Sequence, residues 1–169
     1  MVQPSTEDVK TLREKCGAGV LDCRNALMAA GGDLDKALNS LKEKGFKSAE
    51  KKTERATGQG LVESYVHTGG RVGALVEINC ETDFVARTEE FKNLAHNIAM
   101  QVTAMCPLYL SKEQMPEDSE LDPTQSCLLV QPFIKDPSKS INDLLVEVIA
   151  KTGENIRLKR FVRFELGGA

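Results

Sequence analysis

The sequence predicts an α+β protein: an N-terminal three-helix unit followed by an antiparallel sheet with helices on one face. Three observations predict it. Up to Gly45, apolar residues recur at spacings of three and four between glycine breaks. From Leu61 the pattern changes to strand composition on both sides of Thr68-Gly69-Gly70-Arg71, a hairpin signal. Two more helical runs then lead into a closing strand, giving the order β-β-α-loop-α-β.

In the first part, Ser5 or Thr6 can cap a helix in which Val9, Leu12 and Cys16 share a face, and Gly17-Ala18-Gly19 breaks it. A second helix runs from about Val20, with Leu27 and Ala30 turned inward, and stops at Gly31-Gly32. Asp33 can cap a third, with Leu34, Ala37, Leu38 and Leu41 as its apolar stripe and Gly45 as the expected stop. Each helix is too short to be stable alone, but together they can bury one small core. The expected domains are residues 1–45, a charged linker or exposed helical arm over 46–59, and an α+β core over 60–169. Lys47, Lys51, Lys52 and Arg55 of the arm fit a solvated face or a partner contact.

In the second part, Leu61 to Val66 and Val72 to Asn79 read as paired strands. A helix follows from about Glu89 to Met105, its apolar positions being Phe91, Leu94, Ala95, Ile98 and Val102, and Pro107 ends it. The acidic, proline-flanked stretch Ser111 to Thr124 reads as a surface excursion. Ser140 can cap a helix carrying Leu144, Leu145, Val148 and Ile149, which Gly153 stops. Ile156 to Leu166 closes the chain as a strand whose alternation slips near Arg160, a place for a bulge.

Composition narrows the function. A net charge of -3 gives no general attraction to nucleic acid or anionic membrane, and with no Trp and two Tyr a base-stacking surface is not expected. No apolar run reaches the ~18 residues of a membrane span, and Met1 to Asp8 lacks the parts of a signal peptide, so a cytoplasmic protein is expected. The five cysteines are an odd number without a CxxC pair, which fits reduced, mostly buried thiols better than a disulfide framework or a zinc site.

Sites for covalent chemistry are weak. Gly58-Gln59-Gly60 and Gly69-Gly70 match neither phosphate-binding glycine pattern, so no bound nucleotide and no cofactor is expected. His67 and Cys80 could meet across the hairpin with Asp83 nearby, but no nucleophile elbow accompanies them, so catalysis by the three is not expected. His96, off the apolar stripe of its helix, reads as a surface residue, and two histidines do not make a metal site. The segment Cys80-Glu81-Thr82-Asp83-Phe84-Val85 stands apart: Phe84 and Val85 are bulky and apolar where a connector is ordinarily polar. Either they staple onto the following helix, or Phe84 protrudes as an anchor for a partner's pocket.

Four segments in order carry a resemblance to a known family. Val9 to Leu27, with Cys16-Gly17-Ala18-Gly19-Val20-Leu21-Asp22-Cys23 at its centre, resembles the opening signature of the elongation factor Ts family. Glu77 to Ala86 resembles its second signature, Gln131-Pro132-Phe133 with Asp136 to Lys139 a third, and Phe161 to Glu165 a fourth. The resemblance implies a nucleotide exchange factor without covalent chemistry, whose partner is the GTPase elongation factor Tu. It implies that the helical unit has a ubiquitin-associated-like fold and docks on that GTPase, with Leu12, Val20 and Leu21 as docking residues. It implies that Thr82, Asp83, Phe84 and Val85 enter beside the partner's magnesium and nucleotide, dislodge the ion and release GDP. Gln101, after Ile98-Ala99-Met100, stands where some members carry a histidine and joins the docking residues. The single sheet module resembles the short form of the family, whose members pair as homodimers. Two other readings stay open on residues alone: a ubiquitin-binding adaptor fused to an unrelated domain, and an enzyme using Cys80.

Overall fold

In the computed structural model, which describes residues 3–168, the chain forms two units. One runs through Arg55 and includes Ile149–Asn155; the other is Ala56–Val148 with the chain from Ile156 onward.

The first unit is built on α1 (Thr6–Cys16), α2 (Val20–Ala29) and α3 (Leu34–Glu50). Ser5 Oγ accepts from the Asp8 N–H at 3.0 Å while the Asp8 carboxylate accepts from the Ser5 N–H at 3.3 Å, a reciprocal cap. Gly17 closes α1 in the left-handed region at φ 67°, donating its N–H to the Arg13 carbonyl. Asp33 caps α3 through the N–H groups of Asp35 and Lys36. Leu12, Cys23, Leu27 and Ala37 form the buried centre, with Leu34, Leu38 and Leu41 packed around it. At ~1.5–3 kcal/mol for each fully buried leucine, this centre rather than intrinsic propensity holds three such short helices together. Helix α3 does not stop at Gly45 but continues to Glu50. A glycine inside a helix costs only about 1 kcal/mol, and the extension places Ala49 in a buried position. Asn155 ties the later segment to this unit, its amide donating to the Arg55 carbonyl at 2.8 Å.

In the second unit, β1 (Gln59–Val66), β2 (Val72–Cys80) and β5 (Ile156–Glu165) form an antiparallel sheet in the order β1-β2-β5. The bulge expected near Arg160 is present: Glu77 pairs with Arg160 and Ile78 with Leu158, leaving Lys159 as the extra residue. Helix α5 (Glu89–Met105) lies on one face of the sheet, burying Phe91, Leu94, Ala95, Ile98 and Val102 against Ala74, Val76 and Ile78 of β2. Val62, Val66, Leu75, Val162 and Phe164 point to the opposite face, which is open. Three elements do not follow from periodicity: the single turn α4 (Asp83–Ala86), the short α6 (Pro123–Ser126), and the small hairpin of β3 (Pro132–Phe133) and β4 (Asp136–Ser140). Helix α7 (Ile141–Thr152) begins at a second reciprocal cap, Ser140 with Asp143. Among the described residues no helix is long and apolar enough to cross a membrane.

Candidate functional site

Strand β2 ends at Cys80, and the chain must turn before α5. Thr82 starts that turn with extended backbone, its hydroxyl accepting from the Val85 N–H at 3.4 Å, so α4 begins as a capped helix. Thr88 closes it, donating its hydroxyl to the Val85 carbonyl at 2.8 Å and accepting the Phe91 N–H at the start of α5. Behind the turn, the buried Cys80 thiol donates to the Thr82 carbonyl at 3.1 Å. Ala86 is buried beneath, and the four-residue helix is held at both ends.

This scaffold turns Phe84 outward, leaving it 79% exposed. A staple onto α5 would bury that ring, so the choice left open by the sequence falls to the protruding arrangement. Asp83 and Arg87 pair across the turn, guanidinium to carboxylate, at 2.9 Å. Val85 is half-buried and contributes to seating the turn. Arg87 and Thr88 were not singled out from sequence; the spacing of four from Asp83 and the threonine before a helical run are the signals that point to them.

The remaining predicted site residues divide by exposure. Val20 and Leu21 open α2, are 53% and 71% exposed, and sit behind a glycine N-cap without a side-chain cap. Leu12 is fully buried in the helical core and Gln101 is fully buried in the second unit, so neither offers a side-chain surface to a partner in this conformation. Gln101 instead donates its amide to the Gln131 side-chain oxygen (3.2 Å) and the Pro132 carbonyl (3.0 Å), and accepts the Ile134 N–H (3.0 Å). It fastens the β3 strand to α5.

His67, Cys80 and Asp83 are not brought together. His67 lies beside the hairpin turn, bonded to the Tyr65 hydroxyl, and its N–H meets the carbonyl of Val72 at the start of β2. Cys80 lies at the other end of that strand, roughly 26 Å away at ~3.3 Å per residue. His96 is exposed on α5, 3.2 Å from the Glu63 carboxylate and edge-on to Tyr65. Among the described residues no group of three or more His, Cys, Asp or Glu side chains could hold a metal ion.

The family sequence model described as Elongation factor TS matches residues 36–122, a stretch that includes β1, β2, α4 and α5. Elongation factor Ts of Caldanaerobacter subterraneus subsp. tengcongensis is 47% identical, the alignment covering 96% of each chain. This chain belongs to the elongation factor Ts family. Elongation factor Ts of Thermotoga neapolitana is 46% identical over 98% of each chain, and that of Carboxydothermus hydrogenoformans is 46% identical over 96% of this chain and 89% of its own. These alignments run over 193 or 194 positions, more than the 169 residues present, so the elongation factor Ts relatives carry residues with no counterpart in this chain.

Proposed function

We propose that this protein is a cytoplasmic guanine-nucleotide exchange factor that acts on elongation factor Tu, releasing GDP so that GTP can bind, with no covalent chemistry of its own. Membership of the elongation factor Ts family supports the partner. The observation that supports the mechanism is the exposure of Phe84 on a turn capped at both ends. An aromatic ring held away from its own core can be buried in a partner without first unpacking anything here.

The energetics require more than that ring. Weakening nucleotide binding a thousandfold takes about 4 kcal/mol of coupling, and linkage makes the factor bind the empty GTPase better by the same amount. Burying Phe84 supplies ~1.5–3 kcal/mol. Thr82, Asp83 and Val85 complete the wedge, and displacing the partner's magnesium removes the ion that neutralises the phosphates. The three-helix unit, of ubiquitin-associated type, docks through Val20 and Leu21 and holds the wedge in range, with Leu12 shaping the unit from within. The chain between α3 and β1 joins it to the α+β core. A second copy covers the open apolar face of the sheet, making the working form a homodimer.

Release of fluorescent GDP from elongation factor Tu, followed with and without the chain, tests the proposal. Accelerated release that is lost in Phe84→Ala supports it; release unaffected by the chain refutes it.

A further inference from the structure

The two cysteines that flank the Val20–Leu21 segment face each other. Cys16, the last residue of α1, and Cys23, in α2, lie with their Sγ atoms 3.9 Å apart. Cys23 is sealed in the core of the helical unit, while Cys16 is half-buried and reachable from solvent. The other three cysteines are placed differently: the Cys80 thiol donates to a carbonyl, Cys127 lies against Met115, and Cys106 is exposed.

We propose that Cys16 and Cys23 are an oxidation site, a dithiol that a low-molecular-weight disulfide such as oxidised glutathione converts to an intramolecular disulfide, and that this conversion weakens docking through Val20 and Leu21. The second half rests on the docking role given above to those two residues.

The chemistry balances as two thiol–disulfide exchanges. The Cys16 thiolate attacks one sulfur of glutathione disulfide, forming a mixed disulfide and releasing one glutathione thiolate. Cys23 then loses its proton and attacks Cys16 Sγ, releasing the second. Two protein thiols become one disulfide, one glutathione disulfide becomes two thiols, and the two protons pass to the released thiolates. Burial first, then neighbouring Cys16 and Asp22, push the Cys23 thiol up to about 11, with Arg13 opposing. Few Cys23 thiolates therefore exist at neutral pH, which slows the second exchange.

The sulfurs must close from 3.9 Å to the ~2.05 Å of a bond. Cys23 is wedged among Leu12, Leu27 and Ala37, whereas Cys16 ends a helix and precedes Gly17 in the left-handed region. The movement therefore falls on the α1 end and on Gly17 to Gly19. Oxidation also removes the thiol proton that Cys23 donates to the Ala18 carbonyl at 3.7 Å. Both changes act on the loop that leads directly into Val20 and Leu21.

The full chain, incubated with reduced or oxidised glutathione and digested with trypsin, tests this. Cleavage after Lys15 and Arg24 gives one peptide, Cys16–Arg24, carrying both thiols. After oxidation it should be lighter by two hydrogens and carry no glutathione. A peptide that stays reduced, or that stops as a glutathione adduct on Cys16, overturns the oxidation site without reference to any partner. In the GDP-release assay the oxidised chain should be severalfold slower than the reduced chain, with recovery on adding dithiothreitol. Cys16→Ser should abolish that sensitivity and Cys106→Ser should keep it. Equal release by reduced and fully disulfide-bonded chains overturns the docking consequence. Failure of the reduced chain to release GDP counts instead against the exchange function, while the peptide mass still decides the thiol pair.

Discussion

The Asp83 carboxylate lies 2.9 Å from the Arg87 guanidinium, one turn further along the chain, and Phe84 projects from the same turn into solvent. The pair is solvent-exposed, so its contribution to folding is small, ~0–1 kcal/mol. On the proposed mechanism, Asp83 exchanges Arg87 for a group on the partner.

That switch is measurable. Asp83→Ala should leave the urea midpoint nearly unchanged, within the ~1 kcal/mol of an exposed pair, yet slow stimulated GDP release. Arg87→Ala frees the same carboxylate and should slow release less than Asp83→Ala does. Equal losses in both variants would assign the pair a purely structural role.

Phe84→Ala removes a ring that touches little of its own protein. Stability should change by no more than about 0.5 kcal/mol, as for other surface substitutions. Exchange should fall severalfold or more, with a comparable loss in affinity for the nucleotide-free GTPase and a smaller one for the GDP-bound form, because on the proposed mechanism the ring is buried only when the nucleotide site is distorted. A destabilisation of ~1 kcal/mol or more with exchange intact would make the segment a packing element.

Gln101 makes the opposite prediction. Gln101→Leu leaves the Ile134 N–H, the Pro132 carbonyl and the Gln131 side-chain oxygen without their partner; Gln131 is fully buried, and a buried orphan costs ~1–3 kcal/mol. Chemical denaturation should show a clear loss of stability, while the variant still stimulates GDP release at temperatures where it is folded. Unchanged stability together with lost exchange would return Gln101 to the docking surface.

The contrast between Phe84 and Gln101 shows what the sequence could convey. The hairpin turn, helix α5 and the bulge beside Arg160 all have periodic signatures and are found where periodicity put them. Helix α4 has four residues, too few to establish a period, so whether Phe84 packed or protruded was open. Gln101 sits in a helix among apolar neighbours, but the residues that satisfy it come 30 or more positions later, out of reach of any local pattern. Gly45 reads as a stop because propensity is local, whereas the burial of Ala49 beyond it depends on tertiary packing.

The open sheet face predicts association. Val66, Gly73 and Phe164 are neighbours across the three strands, as are Ser64, Leu75 and Val162, and Phe164 is 67% exposed. Phe164→Lys should shift a homodimer toward the 18.5 kDa monomer in light scattering without altering the far-ultraviolet circular dichroism. A wild-type chain that is monomeric at tens of micromolar contradicts the pairing.

The most direct measurement is the rate at which elongation factor Tu releases fluorescent GDP as this chain is titrated in under reducing conditions. The expected result is a release rate that rises with chain concentration and is lost when Phe84 is replaced by Ala. A rate that stays at its spontaneous value across the titration, with a chain shown by circular dichroism to be folded, contradicts an exchange function.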